Sequence, residues 1–172
     1  MEIDLEELVG GMPGLSPRMG AAMAEAAGVC FDDCGHCSPT TLRLLGDLGG
    51  KADVSWQVPD QQAKRSWADE SYATEQGAYA VAIGIACQAR GLVALERSRK
   101  FNGFDYWLGR DETTLFTNKV RLEVSGIRRG TAAQLTARVR QKVNQIEVSC
   151  GLLKGLVIVV EFGKPCAQAA DR

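Results

Sequence analysis

Residues 91–162 read GLVALERSRKFNGFDYWLGRDETTLFTNKVRLEVSGIRRGTAAQLTARVRQKVNQIEVSCGLLKGLVIVVEF, and the periods inside this stretch decide the fold. Residues 92–97 are strand-like, and Asn102-Gly103 is a tight-turn signal that ends them. Residues 104–108 are aromatic and β-prone, and 109–112 form a second turn. Residues 115–127 alternate as a long strand. Gly130-Thr131 then opens a helix running to about 146, with Leu135, Val139, Val143 and Ile146 recurring on one face. Residues 156–162 are an unbroken apolar run, the pattern of a strand covered on both faces.

Outward from this stretch, Pro59-Asp60 starts a helical region that breaks near 69–71 and resumes over 74–89. Residues 60–162 therefore run helix, strand, strand, strand, helix, strand. This order predicts an α/β layer structure in which three strands meander and the fourth joins by a helical crossover. Further upstream, Ser16-Pro17 caps a short helix over 15–27, with Met19, Met23 and Ala26 as its apolar stripe. Residues 29–39 read as irregular and cysteine-rich. Residues 41–45 and 54–58 read as a hairpin around the glycine-rich 46–50. Residues 163–172 read as a frayed tail. The expectation is one domain over 1–172: an N-terminal helix and β-hairpin extension (1–59), a core with a mixed central sheet flanked by helices (60–162), and the tail.

A chain of 172 residues, 45% apolar and 24% charged, suits a single soluble domain. The acidic start at 1–7 is no export signal, and 78–95 is too short and too polar to span a bilayer. A cytoplasmic location with no membrane partner follows, and reduced thiols are the default for the six cysteines. The single histidine, His36, excludes a multi-histidine metal site, and any Ser-His-Asp or Cys-His relay has to run through it. The formal net charge of −1 conceals an asymmetry. Residues 1–33 hold seven acids and one base, whereas 97–142 hold eleven bases and four acids. Such a basic segment is either an ordinary solvated surface or a nucleic-acid footprint. On the second reading Arg97, Arg99, Arg128, Arg129, Arg138 and Lys142 are the candidate phosphate contacts.

Two carboxylates stand out by their setting. Asp105 opens the second strand just after the Asn102-Gly103 turn, and Glu123 lies in the middle of the third. Acids on adjoining strands, about 4.8 Å apart, can share one metal. Lys119, Arg121, Glu123 and Ser125 fall on one face of their strand, opposite Leu122 and Val124. Glu75 continues the helical stripe of Tyr79, Ala82 and Ala86, which aims it at the sheet. Hard oxygen donors of this kind suit Mg²⁺ or Mn²⁺, with water kept for attack on a phosphodiester.

The element order, with Asp105 and Glu123-Val124-Ser125 so placed, resembles the PD-(D/E)xK or restriction-endonuclease-like nuclease superfamily over about 60–162. Residues 96–100 and 122–127 resemble a bacterial branch of it that carries no assigned activity. The resemblance implies metal-dependent hydrolysis of nucleic acid, with genome defence or mobile-element biology as a setting. It implies that Asp105 is the first acid, Glu123 the second and Glu75 the helix glutamate. The sequence departs from the pattern at Ser125, which stands where the family has lysine. Lys100 or Lys119 would have to supply that cation.

Plain structural readings stand beside these. An aspartate after a turn commonly bonds its own backbone, and a strand glutamate commonly faces solvent. The chain is then a non-catalytic assembly subunit, with a protein partner or a second copy of itself in place of nucleic acid. Cys30, Cys34, His36 and Cys37 are zinc-type ligands, but their cramped spacing favours ordinary thiols and zinc is not expected. Trp56, Trp67 and the Tyr106-Trp107 pair read as packing residues before base-stacking ones.

Overall fold

The 156–162 run forms a strand, Gly155–Glu161, in which every residue is buried, and the architecture is arranged around it. The computed structural model describes residues 1–111, 119–148 and 153–172. In chain order the elements are β1 (Glu2–Asp4), a 3-10 turn (Leu5–Gly10), α1 (Pro17–Asp33), β2 (Thr40–Gly46), β3 (Lys51–Ser55), α2 (Gln61–Ser66) and α3 (Glu70–Arg90). They continue with β4 (Val93–Arg97), β5 (Tyr106–Gly109), β6 (Val120–Ile127), α4 (Ala132–Val148), β7 (Gly155–Glu161) and β8 (Cys166–Asp171). All the strands join one mixed eight-stranded sheet in the order β1-β3-β2-β8-β7-β6-β5-β4. β4, β5 and β6 are antiparallel neighbours, and β7 returns through α4 to lie parallel to β6.

Side-chain alternation along β7 divides the core. Leu156, Ile158 and Val160 enter the larger cluster with α1 and α3. Val157 and Val159 pack on the opposite face under Leu135, Val139, Val143 and Ile146 of α4. The expected apolar stripe of α4 is thus the stripe that covers the sheet. Its N-terminus is a reciprocal cap: the Gln134 N–H donates to Thr131 Oγ1 (3.2 Å) and the Thr131 N–H to Gln134 Oε1 (2.8 Å). α3 is wedged between α1 and the sheet, and buries residues all round its circumference. It is built from small side chains because α1 comes very close. A Cβ on Gly77 would stand 2.9 Å from Ala27 Cα and 3.1 Å from Cys30 Sγ.

Three expectations need correction. α1 continues to Asp33, so Cys30 is helical and not part of an irregular segment; burial against α3 extends a helix that local propensity ends early. β3 occupies 51–55 and not 54–58, and its register pairs Leu42 with Ala52 and Thr40 with Val54. Trp56 instead leaves the strand, stacking on Phe31 at 4.6 Å between ring centroids. The largest correction concerns 163–172. β8 lies between β2 and β7, and its Cys166, Ala167, Ala169 and Ala170 are buried. Through β8 the N-terminal hairpin belongs to the same sheet as the second half. The expected strand start at 115–118 falls outside the described residues.

β8 should therefore be indispensable. Ala169 is 2% exposed and faces the larger core. Ala169→Asp buries a carboxylate with no partner and should cost at least ~3 kcal/mol. Urea unfolding checks this: an unchanged midpoint would contradict the central position of β8.

Candidate functional site

The site sits at a notch in the sheet. β5 pairs with β6 over Tyr106↔Leu122, Trp107↔Arg121 and Leu108↔Val120. The next residue, Asp105, stands beside the Leu122–Val124 segment of β6. Asp105 keeps its backbone in the ladder, donating N–H to Leu122 O at 2.8 Å and accepting from Ser98 N–H at 2.8 Å. Beyond it β5 is absent, and the side chain of Asp105 takes over: its Oδ2 accepts the Val124 N–H at 2.8 Å. A carboxylate thus caps the edge of β6 where a strand would otherwise continue. Gly126 lets α3 close down on that edge, since a Cβ there would stand 2.5 Å from Thr74 O.

The notch is furnished from both faces of the sheet. From α3, the Tyr79 hydroxyl donates to Asp105 Oδ1 at 2.8 Å and lies 3.3 Å from Glu75 Oε1. Arg97 of β4 donates to the Tyr79 oxygen (3.2 Å) and to that of Tyr106 (3.1 Å), stacking over both rings. From α4, Lys142 Nζ lies 2.5 Å from Glu123 Oε1, and Gln145 donates to the same oxygen at 3.0 Å. Arg138 donates to Ser125 Oγ at 3.0 Å. Arg121, Glu123 and Ser125 all meet α4, as their shared face predicts, while Leu122 and Val124 enter the larger core.

The electrostatics centre on Glu123, which is 1% exposed. Burial, and then the charge of Asp105, push its carboxyl up to about 7, and Lys142 only partly opposes this. Glu123 Oε2 is buried with no hydrogen-bond donor among the described residues. The same surroundings raise the Tyr79 phenol, chiefly by burial and then by the negative charge of Asp105, so it stays a donor.

Two clefts flank the acids and share Glu75, Tyr79 and Asp105. One, of about 600 Å³, runs between the start of α3 and α4, past Ser71, Ser125, Arg128, Arg138 and Lys142. The other, of about 480 Å³, lies against the β4–β5 loop and includes Arg97, Arg99, Lys100 and Glu123.

Of the residues singled out in the sequence, Glu75, Asp105, Glu123 and Ser125 border these clefts together. Neither proposed substitute lysine pairs with the acids. Lys119 Nζ lies 5.6 Å from the centroid of the Trp107 ring, and Lys100 Nζ 5.7 Å from that of Phe101. The cation on Glu123 is Lys142, expected to serve as a phosphate contact. Arg138, Lys142 and Gln145 follow each other at helical spacing beside the α4 apolar stripe, a signal that marks them as one face. Arg128 is a structural residue as well as a cleft residue: Nε donates to Thr74 Oγ1 at 3.0 Å and a second nitrogen to Glu70 O at 3.4 Å. Arg129 donates to Asp33 O.

The cysteine cluster is dispersed. Cys30 and Cys34 donate their thiols to Ala73 O (3.3 Å) and Arg128 O (3.4 Å), and His36 Nε2 lies 3.0 Å from Phe162 O. Burial pushes the Cys30 thiol up to about 12, so it stays a protonated donor to Ala73 O. Among the described residues no group of three or more His, Cys, Asp or Glu is arranged to hold a metal ion. No helix among them is long and apolar enough to cross a membrane.

The raised Glu123 carboxyl has a consequence for stability. Between its unfolded value near 4.5 and its folded value of about 7, the folded chain holds more protons than the unfolded one. Stability in EDTA should therefore fall as pH rises through that window, by on the order of 1–3 kcal/mol. In Glu123→Gln this slope should vanish, and in Lys142→Ala it should extend to higher pH. Urea midpoints at intervals between pH 4.5 and 8 measure it, and an identical slope in wild type and Glu123→Gln would refute the assignment.

No protein-family model matches the chain, and no curated protein or solved structure matches it.

Proposed function

We propose that this chain is a metal-dependent nuclease of restriction-endonuclease-like architecture that hydrolyses phosphodiester bonds in nucleic acid. The observation that carries the reading is the proximity of Asp105 and Glu123, with Lys142 on Glu123 and a cleft on either side that brings cations up to the acids. Two further features support it. The α3-β4-β5-β6-α4-β7 order has the antiparallel meander and parallel return that the resemblance implies. Arg121 donates to Ile146 O and Leu153 O, and the cation on Glu123 among the described residues is Lys142.

The donor set fits a hard divalent cation. Glu123 Oε2 is an orphaned acceptor, and each Asp105 oxygen keeps a lone pair beyond the hydrogen bond it accepts. Magnesium or manganese bound by Asp105 and Glu123, with Glu75 nearby, would lower the pKa of a water and neutralise charge on a phosphoryl oxygen. Two protein carboxylates leave room for several waters and a phosphate, the kind of site Mg²⁺ prefers. Lys142 supplies the positive charge that Ser125 lacks, aimed at the same carboxylate from α4 rather than from β6. Tyr79 and Arg97 fix Asp105, and Arg138 holds a guanidinium at the rim for a neighbouring phosphate.

Purified protein should cut DNA or RNA with Mg²⁺ or Mn²⁺, and EDTA should stop it. Lys142→Ala should lower the rate by roughly 10²–10³-fold, the scale of removing one transition-state donor, and Asp105→Ala or Glu123→Ala by at least as much. Lys100→Ala and Lys119→Ala should leave the rate within a few-fold. Ser125→Lys combined with Lys142→Ala should recover part of the loss. Activity that survives both acid substitutions would belong to another protein. No cleavage of varied substrates, together with no Mn²⁺ uptake by calorimetry, would sink the nuclease reading in favour of a non-catalytic assembly subunit.

A further inference from the structure

The loop between β4 and β5 carries an aromatic residue in a place where neither folding nor backbone geometry accounts for it. Phe101 is 95% exposed, so its ring gains almost nothing from burial. Its φ is +77°, and it is the one non-glycine residue at positive φ among the described residues. Only glycine adopts such a backbone freely, with asparagine and aspartate next, and a bulky side chain there is strained. A loop shaped for stability alone would place one of those residues at 101. Strain combined with full exposure points to a use outside the chain.

The surroundings specify the use. Phe101 lines the same cleft as Asp105 and Glu123, beside Arg97, Arg99 and Lys100. Lys100 Nζ lies 5.7 Å from the ring centroid. An open aromatic face next to several cations matches one repeating ligand chemistry, a nucleobase joined to phosphates. The base stacks on the ring and the phosphates meet the cations. A base inside a duplex has both faces covered by its neighbours, so the face has to come from an unpaired base or from the end of a strand.

We infer that Phe101 is a base-stacking platform that holds an unpaired nucleobase beside the Asp105–Glu123 pair, which makes the substrate a single strand or a frayed end. The inference rests on the nuclease reading and narrows its substrate class. The stack fixes which phosphate lies over the acids, because base and phosphate are joined by a short sugar linkage.

The test is fluorescence anisotropy with a labelled single-stranded oligodeoxynucleotide, the matching oligoribonucleotide and a blunt duplex, with Ca²⁺ in place of Mg²⁺. Phe101→Gly relieves the backbone, so its thermal midpoint should equal or exceed that of the wild type. Its affinity for the single strand should nevertheless fall roughly 5- to 150-fold, the range for losing one base–aromatic stack. Phe101→Leu should lose as much, and Phe101→Trp should retain binding. Quenching of 2-aminopurine in the strand should appear with wild type and Phe101→Trp alone. Wild-type binding that is unchanged in Phe101→Gly and Phe101→Leu would overturn the platform and leave the nuclease reading standing. Binding confined to the blunt duplex would overturn the unpaired-base claim. Binding of none of the three would overturn both readings.

Discussion

β7 carries apolar side chains on both faces, and a strand of that kind has to be covered twice. The cover on one side is α1 and α3, and on the other α4. The rest of the molecule follows from that requirement. α3 has to lie flat on the sheet beneath α1, which accounts for its small residues and the close approach at Gly77. α4 has to place its apolar stripe on β7 and β8, which carries the polar edge of the same helix across β6. Lys142, Gln145 and Arg138 reach Glu123 and Ser125 for that reason. Burial sets the helix, and the helix delivers the cation.

The acid pair is the point where the fold sets stability aside. A hydrophobic residue at 123 would avoid a buried carboxylate next to a second one. Here both acids are retained, and the neighbourhood manages them individually. Asp105 accepts one donor on each oxygen, from the β6 backbone and from Tyr79. Glu123 has a cation and an amide on one oxygen and, among the described residues, no donor on the other. Such an uneven arrangement raises the Glu123 carboxyl towards neutrality and leaves an acceptor open at the base of a cleft. Buried polar atoms without partners are uncommon in folded proteins, and each one calls for an explanation. A ligand that brings positive charge is an explanation for the open Glu123 oxygen.

Positive charge reaches Glu123 from α4 rather than from its own strand. What matters physically is positive charge near the acid pair, not the strand that carries it. A residue on α4 can occupy that space because the helix crosses β6 at Glu123 and its side chain is long enough to span the gap. Ser125, standing at the position where the cation was expected, takes a hydrogen bond from Arg138 instead.

The periodicities of 92–162 determined the strands, the α4 helix and the face on which Glu123 lies, since alternation and helical recurrence are local properties of the chain. The order of strands in the sequence also put Asp105 and Glu123 on adjoining strands, which made their proximity legible. Tertiary structure alone decided three matters. The chain end became a central strand, because β2 and β7 each lacked a neighbour and short alanines fit between two covered faces. α1 ran on past its local stop, because α3 buried its last turns. Lys142, rather than Lys100 or Lys119, took the place beside Glu123. Which charge meets which depends on the crossing of α4 over β6, and a crossing is set by packing between elements distant in sequence, which no local pattern encodes.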